Sequence, residues 1–217
     1  MGGAARKSDG LHVRGLGQTC VSRKAGRVGG ALGITTDEPE PWNLMGDEGA
    51  DVNIAFDLVG AASPASLSAG DPTRTVLIGS ASETPTGSMI GKPEVAYPEL
   101  DELRTQVAVA TLTERNRYVD AAGITEQLLG SAASANIFLL GFAYQHGVLP
   151  IAGTAIEEAI RLNGVAVEAN LTAFAAGRAE AVSADTVVAH ADGPQVHVPA
   201  LPEKLATRAD ELGADIA

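Results

Sequence analysis

The sequence has very little of three residue classes: one cysteine (Cys20), 4% aromatic residues, and few basic residues relative to acidic ones. A single thiol cannot form an internal disulfide, and it cannot hold an iron–sulfur cluster, which usually takes four thiolates. With so few aromatic residues, the core of the protein must be built mostly from Ala, Val, Leu and Ile. These shortages exclude a disulfide scaffold and a cluster-binding domain.

Long apolar runs are also lacking. The most apolar segment, Ile137–Ala143, is far shorter than the roughly 20 residues that span a bilayer. The N-terminal residues Met1–Lys7 lack the apolar stretch of a signal peptide. With one cysteine and no targeting signal, the sequence predicts a cytoplasmic protein without a membrane partner.

The charge balance is acidic, with 15 basic and 27 acidic residues and a formal net charge of −12. A nucleic-acid-binding surface would need a cluster of Lys and Arg on one face, which this balance argues against. We interpret the excess of acidic residues as a feature of a soluble surface.

Short apolar segments alternate with helical patterns over the first 130 residues. We predict strands at Leu11–Arg14, Arg27–Thr35, Val52–Phe56, Thr75–Ile78 and Arg117–Val119, and helices at Leu58–Ala69, Leu100–Ala110 and Ala121–Leu129. In the helix at Leu58–Ala69, proline at position 64 fits only a first turn or a break. This alternation predicts an α/β fold with three layers and a mostly parallel, Rossmann-like sheet, followed by a C-terminal helical segment.

The helical segment runs from Ser134 to Arg178 and has sharp stops. Gly147 followed by Pro150 predicts the end of one helix, and Asn163-Gly164 predicts the end of the next. Thr154 and Glu157 have the spacing of a capping box, which places a helix start at Thr154. The sequence therefore predicts three consecutive helices without an obvious catalytic group.

The order of residues in this segment follows a long pattern. The pattern is N-x-x-L-L-G-(F/Y)-A, a short turn with proline, then (I/L)-x-x-A-I-x-L-N-G-V-A-V-E-x-N-x-x-A-F-x-x-G-R. The residues that match it are Asn136, Leu139, Leu140, Gly141, Asn163, Gly164, Val165, Val167, Glu168, Asn170, Phe174, Gly177 and Arg178. This pattern resembles the gamma domain of the 2-oxoacid:ferredoxin oxidoreductases, most closely the indolepyruvate branch.

A second segment agrees in part with the same family, which has T-G-L-A-Q-K-G-G-x-V after its second strand. Gln18, Thr19, Lys24, Gly26 and Val28 match that segment, whereas Cys20, Arg23 and Ala25 depart from it. The loop candidates for contacts to a partner or ligand are Gln18, Thr19, Lys24 and Gly26. Thr84–Gly87 matches a P-T-G turn of the family, for which we expect a structural role near a subunit interface.

The resemblance also predicts the domain limits. Residues 1–182 correspond to the gamma-type domain, and residues 183–217 correspond to a linker and the start of a following helical region. Because the family has a strand, a Gly-rich loop and a helix before the region of Leu11, we expect this copy to lack the N-terminal strand. Leu201–Leu212 is similar to the segment that follows the gamma domain in the fused indolepyruvate enzymes.

The resemblance implies a component or a fragment of an enzyme that oxidatively decarboxylates a 2-oxoacid to an acyl-CoA and passes electrons to ferredoxin. In that family, thiamine diphosphate, Mg and the iron–sulfur clusters are held by other domains or subunits, which would be the partners of this chain. The expectation is therefore that this chain binds no cofactor, contributes no catalytic or metal-ligating residue, and is inactive when isolated.

Other functions stay open at the level of sequence. Gly15-Leu-Gly17-Gln-Thr-Cys20 resembles the dinucleotide fingerprint G-x-G-x-x-G, with Asp37 downstream, although glycines from Gly26 to Gly30 would break the helix that this fingerprint needs. A stand-alone dinucleotide-binding enzyme, a non-catalytic assembly module and a decayed fragment with an unpaired sheet edge are the alternatives.

The remaining reactive side chains favour structural roles. Cys20 has no identifiable base beside it, which favours an inert thiol. The four histidines His12, His146, His190 and His197 have no metal-ligand spacing. Glu157 and Glu158 are adjacent on a helix and point in different directions, so they are not a carboxylate pair.

Overall fold

The computed structural model describes residues 12–19, 28–35, 46–83 and 96–182, and within these ranges the chain has an α/β fold. The strands are β1 (His12–Thr19), β2 (Val28–Thr35), β3 (Val52–Ala55), β4 (Val76–Ser80) and β5 (Arg117–Val119). The helices are α1 (Leu58–Ala61), α2 (Pro64–Ser68), α3 (Leu100–Ala108), α4 (Ala121–Leu129), α5 (Ala135–Gln145), α6 (Gly153–Asn163) and α7 (Val167–Glu180). Short 3-10 helices lie at Thr113–Arg115 and Ala132–Ser134.

The central sheet is parallel, in the order β3-β4-β5. Ala55 lies opposite Gly79, and Gly79 lies opposite Tyr118 on the other side. All five residues of β4 are buried, so this strand does not alternate between apolar and polar residues. A strand buried along its whole length is typical of a parallel sheet covered on both faces.

Two apolar clusters confirm the predicted three layers. Because successive residues of a strand point to opposite faces, Val76 and Ile78 face one way and Leu77 faces the other. Val76 and Ile78 join the cluster formed with α5, α6 and α7. Leu77 joins the cluster that contains Leu58 of α1 and Leu103 of α3.

Buried polar side chains fix the position of β4. The Asn116 side-chain oxygen accepts a hydrogen bond from the backbone N–H of Leu77 at 3.0 Å, and its amide donates to the Thr111 hydroxyl at 2.8 Å. The Thr75 hydroxyl accepts from the backbone N–H of Asp71 at 2.8 Å. Since a buried polar group without a partner costs about 1–3 kcal/mol, these bonds make the register of the strand specific.

The hairpin of β1 and β2 is antiparallel and forms a sheet of its own. The prediction that the strand ends at Arg14 is wrong, because β1 continues to Thr19. Gly17 lies opposite Gly30, and Gln18 lies opposite Gly29. The pairing with β2 thus continues through the glycine-containing end of β1.

The remaining predicted elements are confirmed within a few residues, and β5 and α4 have the predicted bounds. The predicted helix over Leu58–Ala69 is divided into α1 and α2, with Ser63 between them. Pro64 lies in the first turn of α2, which is one of the two positions predicted for it. The predicted helix stops are also present, since Gly147 and Gly164 have φ of +73° and +71°.

The predicted capping box is wrong. The residue before α6 is Ala152, and no side chain caps this end of the helix. Thr154 is exposed in the first turn, and the Glu157 carboxylate pairs instead with Arg161 at 3.6 Å. Gly153 packs against the Tyr144 ring, and this tertiary contact accompanies a helix start before the capping residues.

Several predictions concern residues outside the described ranges. They are the turn at Thr84–Gly87, the linker from Ser183, the helix at Leu201–Leu212, and the lack of a strand before Leu11.

Candidate functional site

The crossing of α5 and α7 is the centre of the helical unit. The helices are antiparallel, with Gly141 against Phe174 and Gly177 against Phe138. A methyl group built on Gly141 would overlap the Phe174 carbonyl oxygen, and one on Gly177 would overlap the Phe138 carbonyl oxygen. Two main chains therefore touch directly, which only glycine permits at these positions.

Arg178 joins the end of α7 to α5. Its guanidinium carbon lies 5.2 Å from the centre of the Tyr144 ring and 6.0 Å from that of Phe174. Its Nε donates to the Gln145 side-chain oxygen at 3.2 Å. A guanidinium over an aromatic ring within about 6 Å is stabilised by the ring's negative face. The final residues of the family pattern, Gly177 and Arg178, thus both hold α7 against α5.

The turn between α6 and α7 is held by a hydrogen-bonded asparagine. The Asn170 amide donates to the Val165 carbonyl oxygen at 2.9 Å, and the Asn170 oxygen accepts from the Ser134 hydroxyl at 2.8 Å. Gly164 and Ala166 both have positive φ, at +71° and +45°. For a non-glycine residue this conformation costs roughly 1–3 kcal/mol and persists only where the surroundings fix it.

This turn exposes two apolar side chains. Leu162 is 68% exposed and Val165 is 65% exposed. Glu158, one helical turn before Leu162, is also exposed, and the neighbouring Arg161 is paired with Glu157. We call Leu162 and Val165 the α6–α7 surface. Exposed apolar residues that occur singly are common, and larger exposed apolar patches mark contact sites.

The carboxyl ends of the parallel strands carry a polar network. The hydroxyls of Ser80 and Ser82 are 2.8 Å apart, and the Ser82 hydroxyl donates to the Asp120 carboxylate at 2.7 Å. The same Ser82 oxygen accepts from the backbone N–H of Ala122, and Asp120 accepts from that of Gly123, both at 2.9 Å. All of these hydrogen bonds are made between members of the network. The network therefore connects the end of β4 to the start of α4.

The connections between the described strands do not create a ligand crevice at this edge. Ligands of open α/β sheets bind where neighbouring crossovers leave to opposite faces. The crossover from β3 to β4 contains Leu58, the crossover from β4 to β5 contains Leu103, and both residues pack in the same cluster. The part of the sheet that the structure describes thus has both crossovers on one face.

Tyr97 is a residue that sequence reasoning missed. Its hydroxyl oxygen is buried and has no hydrogen-bond partner among the described residues. Burial raises the pKa of Tyr97, and the carboxylates of Asp57 and Glu83 raise it further. The hydroxyl therefore stays protonated at neutral pH and is able to donate a hydrogen bond. The only sequence signal was a tyrosine preceding a proline.

The candidate loop contacts predicted from the sequence are only partly within the structure. Gln18 and Thr19 are the last two residues of β1, and they pair with Gly29 and Val28. Lys24 and Gly26 lie outside the described residues, so their role stays a prediction. Cys20 also lies outside.

The alternative dinucleotide fingerprint does not have the geometry it needs. It requires a tight turn at its first glycines and a helix that opens there. Gly15 to Thr19 are instead extended and paired with β2.

Over the same described ranges, no three His, Cys, Asp or Glu side chains are grouped so that they could ligate a metal ion. None of the helices described is both long enough and apolar enough to cross a membrane.

Comparisons with known proteins find a likeness among solved structures only. No protein-family model matches the chain, and no curated protein matches it. Among solved structures, the chain is similar to the PORC subunit of pyruvate oxidoreductase from Thermotoga maritima, with 18% sequence identity and a TM-score of 0.49. The alignment covers 81% of this chain and 83% of that subunit. At this level of similarity the likeness carries no conclusion about activity.

Proposed function

We propose that the chain is a component of a 2-oxoacid:ferredoxin oxidoreductase and that it packs against the domains that perform the chemistry. Thiamine diphosphate, Mg and the iron–sulfur clusters would be held by those partners. The chain's own contribution is an assembly surface on a rigid helical unit. The proposal starts from the residue pattern between Asn136 and Arg178.

The observation that carries the proposal is a division among the residues of this pattern. Gly141, Phe174 and Gly177 are buried and build the crossing of α5 and α7. Leu162 and Val165 belong to the same pattern, yet more than half of each side chain is exposed. Residues that a pattern specifies, and that do not serve the fold of their own chain, support a contact with another chain.

The chemistry of the described residues is compatible with this role. The α6–α7 surface is apolar, and the buried centre of a protein–protein interface is typically apolar with few charges. The charge of the neighbouring Arg161 is neutralised by its ion pair with Glu157. Neither Leu162 nor Val165 would have to be moved out of the core to reach a partner, so binding requires no local unfolding.

The finer assignment is an indolepyruvate-type or other aryl pyruvate enzyme. It rests on the residue pattern between Asn136 and Arg178 and on the similarity of Leu201–Leu212 to the fused enzymes. A reconstituted complex assayed with indolepyruvate, pyruvate and 2-oxoisovalerate tests it by the ratio of kcat/KM values for ferredoxin reduction. Preference for pyruvate would overturn the aryl assignment and leave the general one intact.

Co-purification tests the general assignment. The affinity-tagged chain is produced in its native cells, and the captured complex is analysed for thiamine diphosphate and iron. We expect both in the complex of the unaltered chain. We expect at least a roughly 30-fold weaker association for Leu162→Glu combined with Val165→Glu, because burying an unpaired charge costs about 2–5 kcal/mol.

The matched control is Val182→Glu, since Val182 is 74% exposed at the far end of α7. This variant should associate like the unaltered chain, and both variants should unfold at the same denaturant concentration as it does. A chain that stays monomeric and brings down neither thiamine diphosphate nor iron would sink the proposal.

A further inference from the structure

An open groove lies apart from the α6–α7 surface, between the loop at residues 46–49, the end of α2 and the end of α3. Its volume is about 460 Å³, and its lining includes Asp47, Glu48, Leu67, Pro72 and Val109. This volume is within the range of sites that accommodate a ligand or a few side chains.

The floor of the groove is rigid and apolar. Gly70 lies directly against the main chain of Ala110, where an added methyl group would overlap the Ala110 carbonyl oxygen. Val109, the residue after α3, is 69% exposed beside this contact, and Leu67 is partly buried. The groove thus combines a fixed backbone with an aliphatic surface that the described part of the chain leaves accessible to solvent.

One rim of the groove is acidic and conformationally strained. Glu48 has a φ of +57°, which is unusual for a residue with a side chain. Its main chain is fixed on both sides, because its N–H donates to the Ser68 carbonyl oxygen at 2.8 Å and its carbonyl accepts from the Arg74 guanidinium. The strain is therefore held in place by neighbouring elements.

The charges of this rim are not balanced by the described residues. Arg74 is the nearest cation, and besides bonding the Glu48 carbonyl it pairs with the Asp51 carboxylate at 3.4 Å. The carboxylates of Asp47 and Glu48 form no ion pair with any residue in the described ranges. The groove consequently presents two free negative charges beside exposed aliphatic carbon.

We propose that this groove is a docking site for a basic, aliphatic peptide segment of a partner protein. Arginine and lysine have apolar stems and cationic ends, so one side chain satisfies both properties of the groove. The stem would lie on Leu67 and Val109, and the cationic end would meet Asp47 and Glu48. Complementary charge gives such a contact its specificity and speeds its association.

The test uses the full chain and a fluorescein-labelled, amidated Ala-Arg-Leu-Arg-Ala peptide at low ionic strength. Binding is measured by fluorescence anisotropy, and the site is located by chemical-shift changes in a ¹⁵N-labelled sample. We expect the largest changes at residues 47, 48, 67 and 109. An otherwise identical peptide with Glu in place of Arg should not bind.

Two variants separate the groove from general attraction to an acidic protein. Asp47→Asn with Glu48→Gln should weaken binding by tenfold or more, and Val109→Ser should weaken it about threefold. The charge-matched control is Glu102→Gln with Glu126→Gln, which removes two exposed carboxylates from α3 and α4. Binding to this control should stay within twofold of the unaltered chain.

Three results would overturn the proposal. The control variant could lose as much affinity as the groove variant, which would show unspecific attraction to the net charge of −12. The shifts could lie outside the groove. Alternatively, the groove signals could change with protein concentration in the absence of peptide, which would assign the surface to a second copy of this chain.

Discussion

The glycines of the helical unit and those of the β1–β2 hairpin differ in their surroundings. Gly141 and Gly177 are buried, each with a neighbouring main chain where a side chain would begin. In the hairpin, a methyl group added to Gly29 would meet nothing within 4 Å, and one on Gly15 would reach Leu32 at an ordinary 3.5 Å.

This difference shows that the same residue type serves two physical purposes. In the helices, glycine is required by a close approach of two elements distant in sequence. In the hairpin, Gly29 lies beside open space, and a methyl group on Gly15 would make only an ordinary contact with Leu32. Replacing a glycine is therefore more costly in the helical unit than in the hairpin, and substitution can measure this contrast.

Gly177→Ala should have the largest effect, destabilising the protein by about 3 kcal/mol, because the methyl group overlaps main-chain atoms of Phe138 and Phe142. Intrinsic helix propensity alone predicts the opposite sign, a gain of about 1 kcal/mol. Urea denaturation followed by circular dichroism gives the free energy of unfolding. A stabilised variant would show that the crossing of α5 and α7 does not form.

Asn170→Ala should cost about 1–2 kcal/mol, since it removes the hydrogen bonds to the Val165 carbonyl and from the Ser134 hydroxyl. Its control is Asn136→Ala, because Asn136 is exposed and its side chain accepts, among the described residues, only from the next residue's N–H. That change should stay within about 0.5 kcal/mol. Equal costs for the two asparagines would contradict the role given to the turn.

His146 makes the stability of the helical unit depend on pH. Burial lowers the pKa of His146, and the positive charge of Arg117 lowers it further. The ring packs edge-on to Phe142 at 4.6 Å, and its Nε2 is buried without a partner among the described residues. In the unfolded chain, His146 therefore binds a proton more readily than in the folded protein. The free energy of unfolding falls as pH drops below the unfolded-state pKa of about 6.5.

Unfolding measured between pH 7.5 and 5 should show this loss, and His146→Gln should make the curve flatter over the same interval. The difference between the two curves gives the contribution of His146 and removes that of the carboxylates, which titrate at lower pH. Parallel curves for the two proteins would mean that the histidine is not buried against Phe142 in solution.

Gly29→Ala should have the smallest effect and the opposite sign to Gly177→Ala. Alanine in the open position on β2 lowers the entropy of the unfolded chain without a clash, which stabilises by up to about 1 kcal/mol. The same urea titration serves for both variants. A cost above 1 kcal/mol would indicate a neighbour close to β2.

Local signals in the sequence were sufficient for much of the fold. Gly147 and Gly164 end their helices because glycine tolerates positive φ. The apolar run at Thr75–Ile78 indicated the central strand, which the structure places at Val76–Ser80, and the alternation of elements indicated the parallel sheet.

The errors arose where a distant residue decides local structure. α6 begins before Thr154, where Gly153 meets the Tyr144 ring, and β1 extends past Arg14 because residues 15–19 pair with residues 28–32 of β2. Likewise, the predicted helix stop at Gly164 did not show that Leu162 and Val165, on either side of it, would be exposed. The groove beside Glu48 depends on the approach of α2 to α3, which sequence spacing does not contain.

The contact between the main chains of α5 and α7 has a mechanical consequence. Helices that interlock through side chains can slide as those side chains change rotamer, but two abutting main chains have no such freedom. α5 also packs on β3 and β4, so main-chain contact at the crossing connects the helices beside Val165 to the sheet. A partner that bound this turn would therefore meet a preorganised surface, which lowers the entropic cost of binding.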